Sequence, residues 1–168
     1  MVDLNFGPAC REDIVVYGAA GPGRDVNEWI SFMRRHGVER VCCLQTGCER
    51  GEDLIPIYRN EFGEPNVKEA PIEDFHLCSF NTLKEDILPF LQESYMKRMR
   101  AVVHCQGGNG RTGHVLAAWL AFKHGLDPAE AISRVELTGR NPREAICYGN
   151  ATEEELIELL SRCRELSA

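Results

Sequence analysis

The ten residues from His104 to Gly113, His-Cys-Gln-Gly-Gly-Asn-Gly-Arg-Thr-Gly, constrain this chain more than any other stretch. They follow the apolar run Ala101-Val102-Val103 and lead into Val115, Leu116, Trp119 and Leu120 at helical spacing. A buried strand therefore has to hand over to a helix across a tight turn. Five residues separate Cys105 from Arg111, and three of them are glycine. Glycines let the backbone curl so that successive N–H groups point inward. The helix N-terminus adds partial positive charge at the same spot. A guanidinium supplies a planar fork for two oxygens of a tetrahedral dianion. Helix N-termini and neighbouring cations also favour the thiolate form of a cysteine. Gln106, Gly107, Gly108, Asn109, Gly110 and Arg111 thus read as a phosphate cradle, with Cys105 as a nucleophile at its floor.

Two plainer readings compete. A glycine-rich turn can be purely structural, and a cysteine after a buried strand can be a small core residue. The joint register of His104, Cys105, Gly108, Arg111 and Thr112 favours the cradle. A Walker-type nucleotide loop is excluded, because it requires Gly-Lys-Ser/Thr after four variable residues and an initial glycine. Here Arg111 replaces the lysine, and Cys105 stands five positions before Gly110.

At 168 residues the whole chain, 1–168, is expected to form one domain with a real core. The formal charge of −7 argues against general binding to nucleic acid or a membrane surface. Phosphate binding then has to come from local positive potential. The N-terminus shows no basic or apolar signal region, and no apolar run approaches membrane-spanning length. The eight cysteines are expected to be thiols in a reducing cytoplasm. Cys42, Cys43 and Cys48 lack the paired spacing of a zinc site, and His76 with Cys78 is an equally weak signal, so no metal or cofactor is expected.

Along the chain, residues 1–13 read as a leading loop and Ile14–Tyr17 as a first strand. Gly18–Gly23 reads as a turn. Asp25 with Glu28 suggests a capping box for a helix carrying Val26, Trp29, Ile30 and Met33, closed by Gly37. Arg40–Leu44 and Asn66–Ala70 read as buried strands flanking a helix from Glu52 to Phe62, with Pro56 inside it. Pro71–Ser79 is a loop rich in titratable groups. Thr82 with Glu85 suggests a cap for a helix reaching about Met99, broken or kinked at Pro89. Ala101–His104 is the fourth strand, and the helix after the cradle runs to His124 and Gly125. Asp127-Pro128 starts another helix, and Thr152 with Glu155 caps a last one. Alternating strands and helices predict an α/β fold, a central mostly parallel sheet of four or five strands flanked by helices. Such sheets bind ligands beyond the carboxyl ends of their strands, where Cys105 lies.

A thiolate that displaces an alkoxide or phenoxide from phosphorus requires a proton donor on the far side, and later a base for water. One carboxyl can do both in turn. The loop after the third strand offers two, Glu73 and Asp74, and residue chemistry does not choose between them.

The stretch resembles the His-Cys-x5-Arg-Ser/Thr signature of the cysteine-dependent protein phosphatases. The chain as a whole is similar to the small, atypical dual-specificity phosphatases. The likeness extends to Ile14–Val41, with Trp29-Ile30 and Gly37-Val38, and to Asn141-Pro142 through Asn150. In that family the acid loop reads Pro/Arg-Ile-x-Asp, which Pro71-Ile72-Glu73-Asp74 fits, so the resemblance selects Asp74. It also implies that Thr112 donates a hydrogen bond to the thiolate, that His104 orients the loop, and that Asn150 lies near the attacking water. Asn109 is expected to tie the loop to its neighbours.

The implied activity is hydrolysis of phosphotyrosine, with phosphoserine and phosphothreonine as further substrates, through a phosphocysteine. A phosphorylated protein or peptide is the expected partner, and oligomeric state is left open. The alternatives are an RNA 5′-end or phosphoinositide phosphatase, or a phosphate-binding module without turnover. Inositol-phospholipid phosphatases often carry lysines in the cradle, and none stands here. Reversible oxidation linking Cys105 to Cys42, Cys43, Cys78 or Cys147 is a further possibility, against the plainer reading of these as core cysteines.

Overall fold

The computed structural model describes residues 3–47, 49 and 53–166. In chain order the elements are β1 (Gly7–Pro8), β2 (Val16–Ala20), α1 (Val26–Arg35), β3 (Val38–Cys43), α2 (Leu54–Phe62) and β4 (Val67–Glu69). Then follow α3 (Phe80–Thr82), a π-helical segment (Leu83–Ile87), α4 (Leu88–Lys97) and β5 (Arg100–Cys105). The chain closes with α5 (Gly110–His124), α6 (Pro128–Glu136), α7 (Glu144–Cys147) and α8 (Glu153–Leu166). The sheet has five strands in the order β1-β2-β5-β3-β4, parallel except for β1.

The apolar run before the cradle becomes β5 because a strand bonded on both edges and covered on both faces has no polar side to show. It pairs with β2 and β3, and its residues 101 to 105 are buried. Helices α1 and α2 cover one face through Trp29, Ile30, Met33, Ile55 and Tyr58. Helices α4, α5, α6 and α8 cover the other. Helix α5 is buried all round from Gly110 to Ala121, since it lies between the sheet and α6 and α8.

Several boundaries move from the sequence expectation. Gly7–Pro8, expected within a loop, pairs antiparallel with β2. The first long strand begins at Val16 and not at Ile14, whose side chain is 72% exposed. Gly18–Ala20 belongs to that strand and not to a turn. Pro56 is tolerated because α2 starts at Leu54, which puts the proline in the first turn, where its missing N–H has no intrahelical partner to lose. The start at Glu52 lies outside the described residues. Ser79, not Thr82, caps α3: its hydroxyl oxygen accepts the Thr82 N–H at 3.1 Å. The π-helical segment ends just before Pro89, and the widened turn accommodates a ring that cannot donate to the residue four before it. The caps expected at Asp25, Asp127 and Thr152 are present, the one at Asp25 through its own carboxylate and without a return bond from Glu28 among the described residues. Asp25 Oδ1 accepts from the N–H groups of Asn27 and Glu28 at 2.9 and 3.1 Å. Thr152 and Glu155 form a reciprocal capping box at 2.7 and 3.1 Å.

Candidate active site

The cradle lies where β5 ends and α5 begins, held from four sides. Beneath it, Gly108 has φ +69, and a Cβ there would stand 2.5 Å from the backbone of Ala19 and Ala20. The loop can approach β2 only because this residue has no side chain and tolerates a left-handed backbone. Gly110 is packed against the Glu144 carboxyl, which any Cβ would strike. Asn109 ties the loop to the segment before α7. Its Oδ1 accepts the Asn141 N–H at 2.9 Å and its Nδ2 donates to Glu144 Oε1 at 3.1 Å. Asn5, itself at φ +47, donates from Nδ2 to the Gly108 carbonyl at 2.8 Å. The Asn5 carbonyl in turn accepts from buried Arg140 Nη2 at 2.6 Å. Burial pushes the Arg140 pKa down to about 10, and the negative charge of Cys105 counters it.

Cys105 is 3% exposed, and Thr112 Oγ1 donates to its Sγ at 3.1 Å. His104 is fully buried with its ring between Trp29 and Tyr58. Its Nε2 bonds the Tyr58 hydroxyl at 3.0 Å and its Nδ1 the Cys105 carbonyl at 3.1 Å. Helices α1 and α2 thereby fix the peptide that carries the thiol. The backbone N–H groups of Gln106, Gly107, Gly108 and Asn109 find no acceptor among the described residues.

Arg111 is 2% exposed. Its Nη1 donates to Glu49 Oε2 at 2.7 Å and to the Ile72 carbonyl at 3.0 Å, and its Nη2 lies 3.3 Å from Asp74 Oδ1. Burial works to lower its pKa. The Glu49 hydrogen bond and the negative charges of Cys105 and Asp74 outweigh burial and raise it. For Glu49 burial acts upward, but Arg111 and the Thr46 N–H at 2.8 Å hold its carboxyl below the usual range.

The acid loop approaches from the far side of Arg111. Glu73 and His76 bound a turn closed by His76 N–H to the Glu73 carbonyl at 3.2 Å. Asp74 lies inside that turn and accepts the Phe75 N–H on its own Oδ1 at 3.0 Å. Glu73 points outward with its side chain 78% exposed, whereas Asp74 faces the guanidinium. The two carboxyls that composition left equal are separated by the turn. Phe75 carries φ +60, a conformation costing about 1–2 kcal/mol for a residue with a side chain. Its ring stacks on Tyr148 at a centroid distance of 3.9 Å. Asn150 Nδ2 donates to the Phe75 carbonyl at 3.0 Å, so Asn150 meets the acid loop.

Sequence reasoning missed Glu49, Tyr58, His114, Asn5 and Tyr148. His114 joins the two halves of the site. Its Nε2 accepts the Cys78 N–H at 2.8 Å, and its Nδ1 bonds the Gly110 carbonyl at 3.1 Å. Burial first, then the charge of Arg111, pushes its pKa down to about 4, so the ring is neutral. A histidine four residues after a helix's first glycine was the one sequence signal available. Cys42, Cys78 and Cys163 offer poor exchange partners. Cys42 stands beside Val103 in the sheet, and burial raises its pKa. Burial likewise pushes Cys78 and Cys163 up to about 12. Cys48 lies outside the described residues. Among the described residues no three His, Cys, Asp or Glu side chains gather as metal ligands, and no helix is long and apolar enough to cross a membrane.

Known proteins resemble this chain in sequence and fold. Residues 20–153 match the family described as "Swiss Army Knife protein, DSP-PTPase phosphatase domain". The crystal structure of Tk-PTP in its active form is 28% identical, with 94% of this chain and 97% of that one covered at a TM-score of 0.71. PTPMT1 in complex with PI(5)P is 16% identical and shares the fold, with a TM-score of 0.73 over 97% and 99% of the two chains. An uncharacterized protein of Methanocaldococcus jannaschii is 35% identical over 63 residues, which span 38% of this chain and 39% of that protein.

Proposed function

The chain belongs to the DSP-PTPase phosphatase family of Swiss Army Knife proteins, of the atypical dual-specificity kind, and from that membership we propose that it hydrolyses phosphotyrosine, and also phosphoserine and phosphothreonine, through a phosphocysteine. The observation that carries the reading is the convergence on one spot of Cys105, Arg111, Asp74 and Thr112 with the uncommitted N–H groups of residues 106 to 109.

The roles follow from position. The Cys105 thiolate attacks phosphorus. As the bond from phosphorus to the leaving oxygen breaks, its electron pair stays with that oxygen, which takes the proton of Asp74. Water then attacks the phosphocysteine and gives its proton to Asp74. The sulfur–phosphorus bond breaks, and its electron pair returns to Cys105 beside the Thr112 hydroxyl. Arg111 and the N–H groups of residues 106 to 111 hold the equatorial oxygens, tightest where charge spreads in the transition state. Glu49 holds Arg111 in place before substrate arrives. His104 and Asn109 keep the loop curled.

The absence of lysine between Cys105 and Arg111 and the acidic charge of the chain favour a phosphorylated protein or peptide over an anionic lipid or RNA. Initial rates on phosphotyrosine, phosphoserine and phosphothreonine peptides, a phosphoinositide and 5′-phosphorylated RNA test this choice. We expect the highest kcat/KM on the phosphotyrosine peptide and none with Cys105→Ser. A higher kcat/KM on the lipid or the RNA overturns the substrate assignment, and turnover retained by Cys105→Ser overturns the chemistry.

A further inference from the structure

The acid loop holds an aromatic residue where turn chemistry favours glycine or asparagine. Phe75 follows Asp74 in the turn bounded by Glu73 and His76, at φ +60, the left-handed position of such turns. Its backbone is under strain, and its ring is not buried in the core to repay it. Two contacts hold it instead, and both come from the segment just beyond α7. Tyr148, 60% exposed, stacks on its ring at 3.9 Å with the planes 22° apart. Asn150 donates to its carbonyl at 3.0 Å. The same segment is anchored to the cradle through Asn109, whose side chain bonds Asn141 N–H and Glu144. One continuous piece of chain, residues 141–150, therefore touches the phosphate loop at one end and the acid loop at the other.

We infer that Tyr148 and Asn150 are positioning residues that hold the acid loop closed over the cradle, through Phe75, so that Asp74 faces the leaving oxygen. The inference rests on the assignment of Asp74 as the proton donor. Strain at Phe75 works to open the turn, and the stack and the hydrogen bond oppose it. A loop held in this way is closed before substrate binds. Asp74 already lies 3.3 Å from Arg111 Nη2. Loss of the clamp leaves the cradle, Cys105 and Arg111 as they are, but lets Asp74 spend most of its time away from the leaving group.

Leaving-group dependence distinguishes this from a general structural role. A good leaving group departs without a proton, and a poor one needs it. Tyr148→Ala, Tyr148→Phe, Asn150→Ala, Phe75→Gly and Asp74→Asn are compared with wild type on p-nitrophenyl phosphate and on phenyl phosphate. Tyr148→Ala is expected to lose about tenfold in kcat on phenyl phosphate and less than about threefold on p-nitrophenyl phosphate. Tyr148→Phe keeps the ring and is expected to keep wild-type rates on both. Asn150→Ala is expected to fall between. Phe75→Gly removes the strain together with the stack and leaves the Asn150 bond to the backbone carbonyl, so its Tm should hold and its kcat on phenyl phosphate should fall less than that of Tyr148→Ala. Equal losses on the two substrates in Tyr148→Ala, or no loss on either while Asp74→Asn is selectively slow on phenyl phosphate, overturn the clamp and leave the acid assignment standing. If Asp74→Asn shows no selectivity, the acid assignment fails, and the clamp fails with it.

Discussion

Gly107 and Gly108 are neighbours of the same type in the same loop, yet the structure gives them opposite tolerance to one added methyl group. At Gly108 a Cβ would meet the backbone carbonyl carbon of Ala19 and the nitrogen of Ala20, both at 2.5 Å, and the φ of +69 is foreign to alanine. Neither neighbour is a side chain that can rotate away, so either β2 or the loop has to shift. The backbone conformation costs about 1–2 kcal/mol and the overlap about 1–3 kcal/mol more. A chain of this size should lose roughly 5–15 °C in Tm. The loop is the softer of the two partners, so the cradle donors move away from the phosphoryl oxygens. A displacement near 1 Å is enough for a loss of about a hundredfold in kcat/KM. At Gly107 nothing lies within 4 Å of the added atom. Gly107→Ala should change Tm by less than about 2 °C and kcat/KM by less than about threefold. The assay is p-nitrophenyl phosphate hydrolysis beside differential scanning calorimetry for both variants. Gly108→Ala with wild-type rate and Tm would refute the close approach to β2, and equal damage from both variants would refute the distinction between them.

Four further outcomes are expected. Thr112→Val removes the hydroxyl 3.1 Å from Cys105 Sγ, so loss of phosphate from the cysteine should slow about tenfold, visible as a nitrophenol burst in stopped flow. His114 has a folded pKa of about 4 against 6.5 for a free histidine, so the unfolded chain binds more protons between those values. Its stabilising effect is complete above pH 6.5 and is lost as pH falls to about 4, on the order of 3 kcal/mol, and urea unfolding of His114→Gln should show a flatter pH dependence over that window. Asp13 is buried and accepts from Trp119 Nε1 at 2.7 Å, His124 Nε2 at 3.3 Å and the N–H groups of Val15 and Val16, which outweigh desolvation and lower its pKa. Asp13→Asn should cost about 2–3 kcal/mol at pH 7 in the same assay, and the difference should shrink as pH falls below about 4. Cys42, Cys78 and Cys163, buried and raised in pKa, should stay unlabelled by iodoacetamide in the native protein, as peptide mapping by mass spectrometry can show.

The strand, cradle and helix from Ala101 to His124 were legible because their signals are local: an apolar run, clustered glycines, then helical periodicity. Caps at Asp25, Asp127 and Thr152 were legible for the same reason, since each is decided within four residues. The choice of Asp74 over Glu73 came from resemblance; the turn around Phe75 puts Asp74 against Arg111 and leaves Glu73 exposed. The support of the site was not legible. Glu49 reaches Arg111 across 62 positions, Asn5 reaches Gly108 across 103, and Asn150 reaches Phe75 across 75. No periodicity or spacing encodes such contacts. Gly7–Pro8 escaped notice because its pairing comes from the edge of β2 and not from any strand propensity of its own. The cap at Thr82 was misplaced because Ser79 offers an equivalent hydroxyl three residues earlier, and packing decides between them.

Trapping the covalent intermediate tests the central claim most directly. Wild type and Asp74→Asn, mixed with p-nitrophenyl phosphate and quenched in acid within milliseconds, should carry a phosphoryl group on the peptide containing Cys105. Cys105→Ser should carry none there and should not turn over. A phosphoryl group on any other residue, or turnover without Cys105, would contradict the account.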